Sequence, residues 1–105
     1  MTVDDSTLAG YFRLHDRPPA YQGSDGHPYT VSVEAEKTSN LRAPWSGYLV
    51  FPRWAQNGVG IVGHLETRDL VQETTEAAAK DALGKLTLHE VQAFLEAEIE
   101  RSTGP

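Results

Sequence analysis

The sequence predicts an α+β domain, built as an antiparallel sheet of three to five strands followed by two C-terminal helices packed on one face. Three observations predict it. Residues Tyr29 to Glu36 alternate apolar and polar side chains with period two, the pattern of a half-buried strand. Asn57-Gly58, set between two apolar runs, is a hairpin signal. From Thr74 onward the apolar spacing becomes helical, and strands followed by helices without alternation define the α+β class.

The elements follow in chain order. Residues 1–7 lack periodicity and are expected to be disordered, and Tyr11-Phe12-Arg13-Leu14 reads as a short first strand or extended arm. Arg17-Pro18-Pro19 stops regular structure, since each proline fixes φ and lacks a donor. Asp16 to Pro28 is then a long loop containing the turn Ser24-Asp25-Gly26. In the strand Tyr29 to Glu36, Tyr29, Val31, Val33 and Ala35 share one face, and Thr30, Ser32, Glu34 and Glu36 share the other. Gly47 to Trp54 is denser in apolar residues and reads as a central strand, with Pro52 turning its far end into an edge or bulge. Val59 to Leu65 returns as a hairpin, and Thr67 to Gln72 either extends it or begins a new strand.

Thr74 or Thr75 can cap a helix running to about Lys85, with Ala78, Ala79, Ala82, Leu83 and Leu86 on one arc. Thr87 and Glu90 have the spacing of a capping box, which opens a second helix striped by Leu88, Val91, Phe94, Leu95 and Ile99. One kinked helix is the alternative. Glu98 falls inside the stripe, so the last turn either clears the core or meets a cation. Residues 102–105 are expected to be disordered, and residues 1–105 form a single domain.

Composition bounds the function. With no cysteine there is neither a disulfide framework nor a thiolate metal site. No apolar run has the length of a membrane span, and Asp4 and Asp5 stand where a signal peptide carries positive charge, which predicts a cytoplasmic protein without membrane contact. The formal net charge is −6, with seven acidic and three basic side chains in residues 71–105. That balance disfavours a nucleic-acid partner. Gly58-Val59-Gly60-Ile61-Val62-Gly63 has the spacing of a phosphate-cradling turn, but it sits in a hairpin rather than before a helix. Ser46 lacks the setting of a catalytic elbow, and no cofactor or metal is expected.

Three functional readings remain. The leading one is a non-enzymatic domain acting by protein-protein contact, as a homodimer or with another protein, through a sheet edge or an aromatic-arginine surface. Arg53, Trp54 and Trp45 are its candidate anchors. The second is a small-ligand or metal-dependent enzyme on the loop bearing His15, Asp16, Arg17, Asp25 and His27, joined by His64. The third is single-stranded nucleic-acid binding on an aromatic and arginine sheet face. Gly47-Tyr48-Leu49-Val50-Phe51-Pro52 and Thr74-Thr75-Glu76-Ala77 resemble the strand and the helix opening of the small HicB-like antitoxin domains. The resemblance covers these two segments alone and carries over neither a toxin partner nor RNA binding.

Overall fold

The computed structural model describes residues 5–103. Among them the elements run α1 (Leu8–His15), β1 (Ala20–Gln22), β2 (Pro28–Thr30), β3 (Ser32–Lys37), β4 (Trp45–Trp54), β5 (Ile61–Glu66), β6 (Val71–Glu73), α2 (Glu76–Gly84) and α3 (Leu88–Thr103). The fold is α+β, with six antiparallel strands rather than three to five and with a third helix at the N-terminal end.

Ten-residue β4 is the spine of the sheet. Along one side β2 and β3 lie end to end in one continuous register, Tyr29 opposite Arg53 and Ser32 opposite Val50. The interruption at Val31 falls beside Pro52, which has no N–H to give to the ladder. β1 extends the sheet only beyond β2, from Ala20 opposite Thr30 to Gln22 opposite Pro28. Along the other side of β4 lie β5 and β6, so Thr67 to Gln72 leads into a new strand. Thr67 makes that break. Its buried hydroxyl accepts from the Leu49 N–H at 3.0 Å while its own N–H donates to the Leu49 carbonyl at 2.9 Å. Beyond Pro52, β4 continues to Trp54, with a register shift against β5 between Arg53 and Trp54.

The expected first strand is a helix instead. Thr7 supplies the reason, since its hydroxyl accepts from the Gly10 N–H at 3.1 Å and starts α1. At the other end Asp16 adopts a left-handed conformation (φ 55°) and donates its N–H to the Phe12 carbonyl. Of residues 5–7, expected to be disordered, Asp5 stands 3.7 Å from His15 Nε2, and Ser6 and Thr7 are tied to the junction of α2 and α3. Leu88 N–H donates to Ser6 O and Leu8 N–H to Leu86 O, each at 2.8 Å. Ser102 and Thr103 belong to α3, their hydroxyls donating to the Ile99 carbonyl. Residues 1–4 and 104–105, the rest of the expected disordered ends, lie outside the described residues.

Two separate C-terminal helices form, each with the cap that its sequence carries. Thr75 Oγ1 accepts from Ala78 N–H at 3.0 Å. Thr87 Oγ1 accepts from Glu90 N–H at 3.0 Å, and Glu90 Oε1 accepts from Thr87 N–H at 2.9 Å, a complete capping box. All helices cover one face of the sheet. Tyr29, Leu49 and Phe51 pack there against Leu8, Leu83, Val91, Leu95 and Ile99. Helix α2 approaches closely over Gly47, where an added Cβ would stand 2.9 Å from Leu83 Cδ1 and 3.3 Å from the Ala79 carbonyl oxygen. Glu98 is buried in the last turns of α3 and meets its cation in Arg101, 3.3 Å away. The Tyr21 hydroxyl, which donates to the Leu88 carbonyl, is pushed up to about 12 by burial and by Tyr11.

The opposite face carries Ser46, Tyr48, Val50, Pro52 and Trp54 of β4. At the start of β4, Asn40 Nδ2 donates to the Oε1 of Gln72, the residue paired with Ser46, at 3.3 Å. Ser46 is wholly buried, and its hydroxyl has no hydrogen-bond partner among the described residues. A buried unsatisfied hydroxyl costs free energy, so Ser46→Ala is expected to leave stability unchanged or to raise it by up to about 1 kcal/mol. Urea melts check this; a loss of stability would reveal a partner for the hydroxyl.

Candidate functional site

The three expected interface anchors do not converge. Trp45 begins β4 and Arg53 lies eight positions on, roughly 27 Å away at about 3.4 Å per residue. Arg53 turns to the helix-covered face, where Nε donates to the Tyr29 hydroxyl at 2.7 Å and lies 3.5 Å from Asp25 Oδ2. Its guanidinium also stands 5.6 Å from the Tyr29 ring centroid. Trp54 points to the other face and is half-buried, its indole N–H donating to Thr30 Oγ1 at 3.1 Å.

The histidine-bearing segments form three groups with no hydrogen bond or ion pair between them among the described residues. His15 sits in the last turn of α1, its ring 4.2 Å from that of Tyr11 and its Nε2 3.7 Å from Asp5; Asp16 ends the helix, and Arg17 is exposed. Asp25 and His27 lie in the β1–β2 turn, where Asp25 Oδ1 accepts from the His27 N–H at 3.1 Å. His27 Nδ1 lies 3.0 Å from the Trp54 carbonyl, which requires the Nδ1–H tautomer. His64 is on β5 with Glu66, 3.6 Å away. Among the described residues no three His, Asp or Glu side chains assemble as metal ligands. The glycine-rich turn leads into strand β5 rather than a helix, with Gly58 and Gly60 at positive φ.

What the fold does assemble is an edge and a groove. Leu49 turns both its N–H and its C=O toward Thr67, on the β5 side. Because these directions alternate along an antiparallel strand, Ser46, Tyr48 and Val50 bond to Glu36, Glu34 and Ser32 of β3. The N–H and C=O groups of Val33, Ala35 and Lys37 therefore point away from the sheet. β1 ends opposite Thr30, so among the described residues no strand covers them. Beside this edge α1, α2 and the β2–β3 junction enclose a groove of about 730 Å³. Its lining is mainly apolar, from Leu8, Ala9, Phe12, Val31 and Val33, with Thr30 and Ser32 among its polar members. Phe12 is 52% exposed there, a large apolar side chain without cover. Arg13, Lys80 and Asp81 also line it.

The two faces at this edge differ in charge. On the uncovered face, Glu34 and Glu36 of β3 stand beside Tyr48, and Glu66 of β5 lies opposite Val50. Burial raises the Tyr48 hydroxyl above its ordinary pKa, and the carboxylates of Glu36, Glu66, Glu34 and Asp69 add to the rise. An acidic face without Arg53 is the reverse of a phosphate-binding surface. The sequence alone hides the groove, because Tyr11-Phe12-Arg13-Leu14 in its α1 wall reads as a short strand or extended arm. Thr7 ahead of Leu8, Phe12 and His15 at helical spacing is the signal that exposes it. No protein-family model matches the chain, and neither a curated protein nor a solved structure matches it. No helix among the described residues is long and apolar enough to cross a membrane.

Proposed function

We propose that this domain is a non-enzymatic protein-contact module that accepts an extended segment of another polypeptide as an added strand along β3. The observation that supports this reading is the meeting of a strand edge that is unpaired among the described residues with a mainly apolar groove beside the same residues. An edge of free N–H and C=O groups is a template for strand addition, and alternate side chains of the added strand need pockets on one side. Val33 belongs to both edge and groove, so an apolar side chain opposite it enters the groove as the backbone pairs.

A different chain suits the edge better than a second copy. Symmetric antiparallel pairing places residues of the same face opposite one another. Registers centred on Glu34 or Ala35 set Glu34 against Glu34 or Glu36, and like charges directly opposite are destabilising. A register centred on Val33 sets Glu36 against Thr30, which β1 already covers.

The test is a titration with a blocked peptide in which threonine and valine alternate, followed by fluorescence anisotropy. Saturable binding is expected. Ala35→Pro removes an outward N–H that is not part of the native ladder, so it is expected to keep the melting transition while abolishing binding. Equal binding by the proline variant contradicts the reading. So does a concentration-dependent dimer in light scattering that Ala35→Pro dissolves.

A further inference from the structure

Resting on that strand-addition reading, we infer that the occupant of β3 is a segment in which basic and apolar residues alternate. Its Lys or Arg side chains lie over Glu34 and Glu36, and its apolar side chains enter the groove at Val33 and Phe12. The inference comes from the opposite character of the two sides of one strand. Residues facing Glu34 and Glu36 across the added pair share the open face with those carboxylates and with Glu66. Residues facing Val33 and Ala35 share the helix side, where the lining is mainly apolar and its charged side chains, Arg13 and Lys80 against Asp81, leave a net positive balance. A basic side chain is therefore favoured on the open side, among carboxylates, over the helix side, which is apolar with a small positive balance. Because strand side chains alternate strictly, this difference selects both the composition of the segment and its facing, and a slip by one residue reverses every contact. The same carboxylates that disfavour self-pairing are satisfied by such a strand.

The test compares four blocked peptides of equal length: alternating Lys-Val, alternating Glu-Val, alternating Thr-Val, and one with the Lys-Val composition but its lysines and valines in separate blocks. The alternating basic peptide is expected to bind at least about tenfold more tightly than the neutral one at low salt, an advantage lost near 1 M salt, where the screening length falls to about 3 Å. Alternating Glu-Val is expected not to bind. The double variant Glu34→Gln/Glu36→Gln is expected to bind Lys-Val and Thr-Val alike, with its melting transition retained. If Thr-Val binds in an Ala35-dependent way but Lys-Val gains nothing over it, the charge inference fails and strand addition stands. If the peptide with its lysines and valines segregated binds as tightly as the alternating one, the attraction has no strand register and the inference fails. If no alternating peptide binds, strand addition itself fails.

Discussion

Gly23→Ala is expected to cost about 3 kcal/mol of folding stability, at the upper end of what an overpacked site loses. A Cβ at this position would stand 2.6 Å from Tyr29 Cε2, 2.7 Å from Asp25 Oδ1 and 3.0 Å from Ile99 Cδ1. Flexible neighbours could withdraw, but these cannot. Tyr29 is fully buried, and its hydroxyl is held from both sides, donating to Asp25 at 2.6 Å and accepting from Arg53 at 2.7 Å. The backbone is held as well, since Gly23 N–H donates to the His27 carbonyl at 2.8 Å. Moving Tyr29 therefore disturbs the β1–β2 turn, the pairing with Arg53 and the packing of α3 through Ile99 together. Denaturant melts of the variant and the native chain measure the loss. A change below about 0.5 kcal/mol, the range of unremarkable surface substitutions, would mean that the turn has room that its contacts deny.

Asp25→Asn is expected to cost about 2 kcal/mol at neutral pH, as for a lost charge-assisted hydrogen bond, and the cost is expected to vanish in acid. Burial by itself raises the Asp25 carboxyl. The Tyr29 hydroxyl, the His27 N–H and the Arg53 guanidinium outweigh it and hold the group below the ordinary carboxylate range. The folded chain then binds this proton less readily than the unfolded one. The stabilisation is complete above the unfolded value of about 3.9 and is lost as pH falls through the lower native value. Native chain and variant should therefore differ most near pH 7 and converge at low pH. A difference that stays constant across that range would place the cost in shape rather than charge.

Much of the architecture was legible because it is written locally. The alternation of Tyr29 to Glu36 needs only neighbouring residues, and it appears as β2 and β3 in one register. The reciprocal bonds of Thr87 and Glu90 lie within one helical turn. What escaped depends on distant partners. Leu8 is buried because it meets the α2–α3 junction, and Ser6 is ordered by Leu88, more than eighty residues away. Arg53 beside Trp54 looked like a surface pair, yet strand alternation sends the two side chains to opposite faces, and Arg53 is claimed by Tyr29 and Asp25. The candidate site was legible in half. Glu34 and Glu36 were readable as one polar face of a strand, but the freedom of the β3 edge follows from β1 stopping at Ala20, a fact of topology. The groove required α1, whose helical spacing competed with the bulky aromatic residues Tyr11 and Phe12 that favour strands.

Residue-resolved amide hydrogen exchange at β3 tests the central claim most directly. In the free protein the amides of Val33 and Ala35 point outward from the sheet and are expected to exchange quickly, while those of Glu34 and Glu36, bonded to β4, are protected. With saturating alternating Lys-Val peptide, the Val33 and Ala35 amides are expected to become protected, and the amides of β5 and β6 to remain unchanged. Val33 and Ala35 amides that exchange equally fast with and without bound peptide would contradict strand addition at this edge.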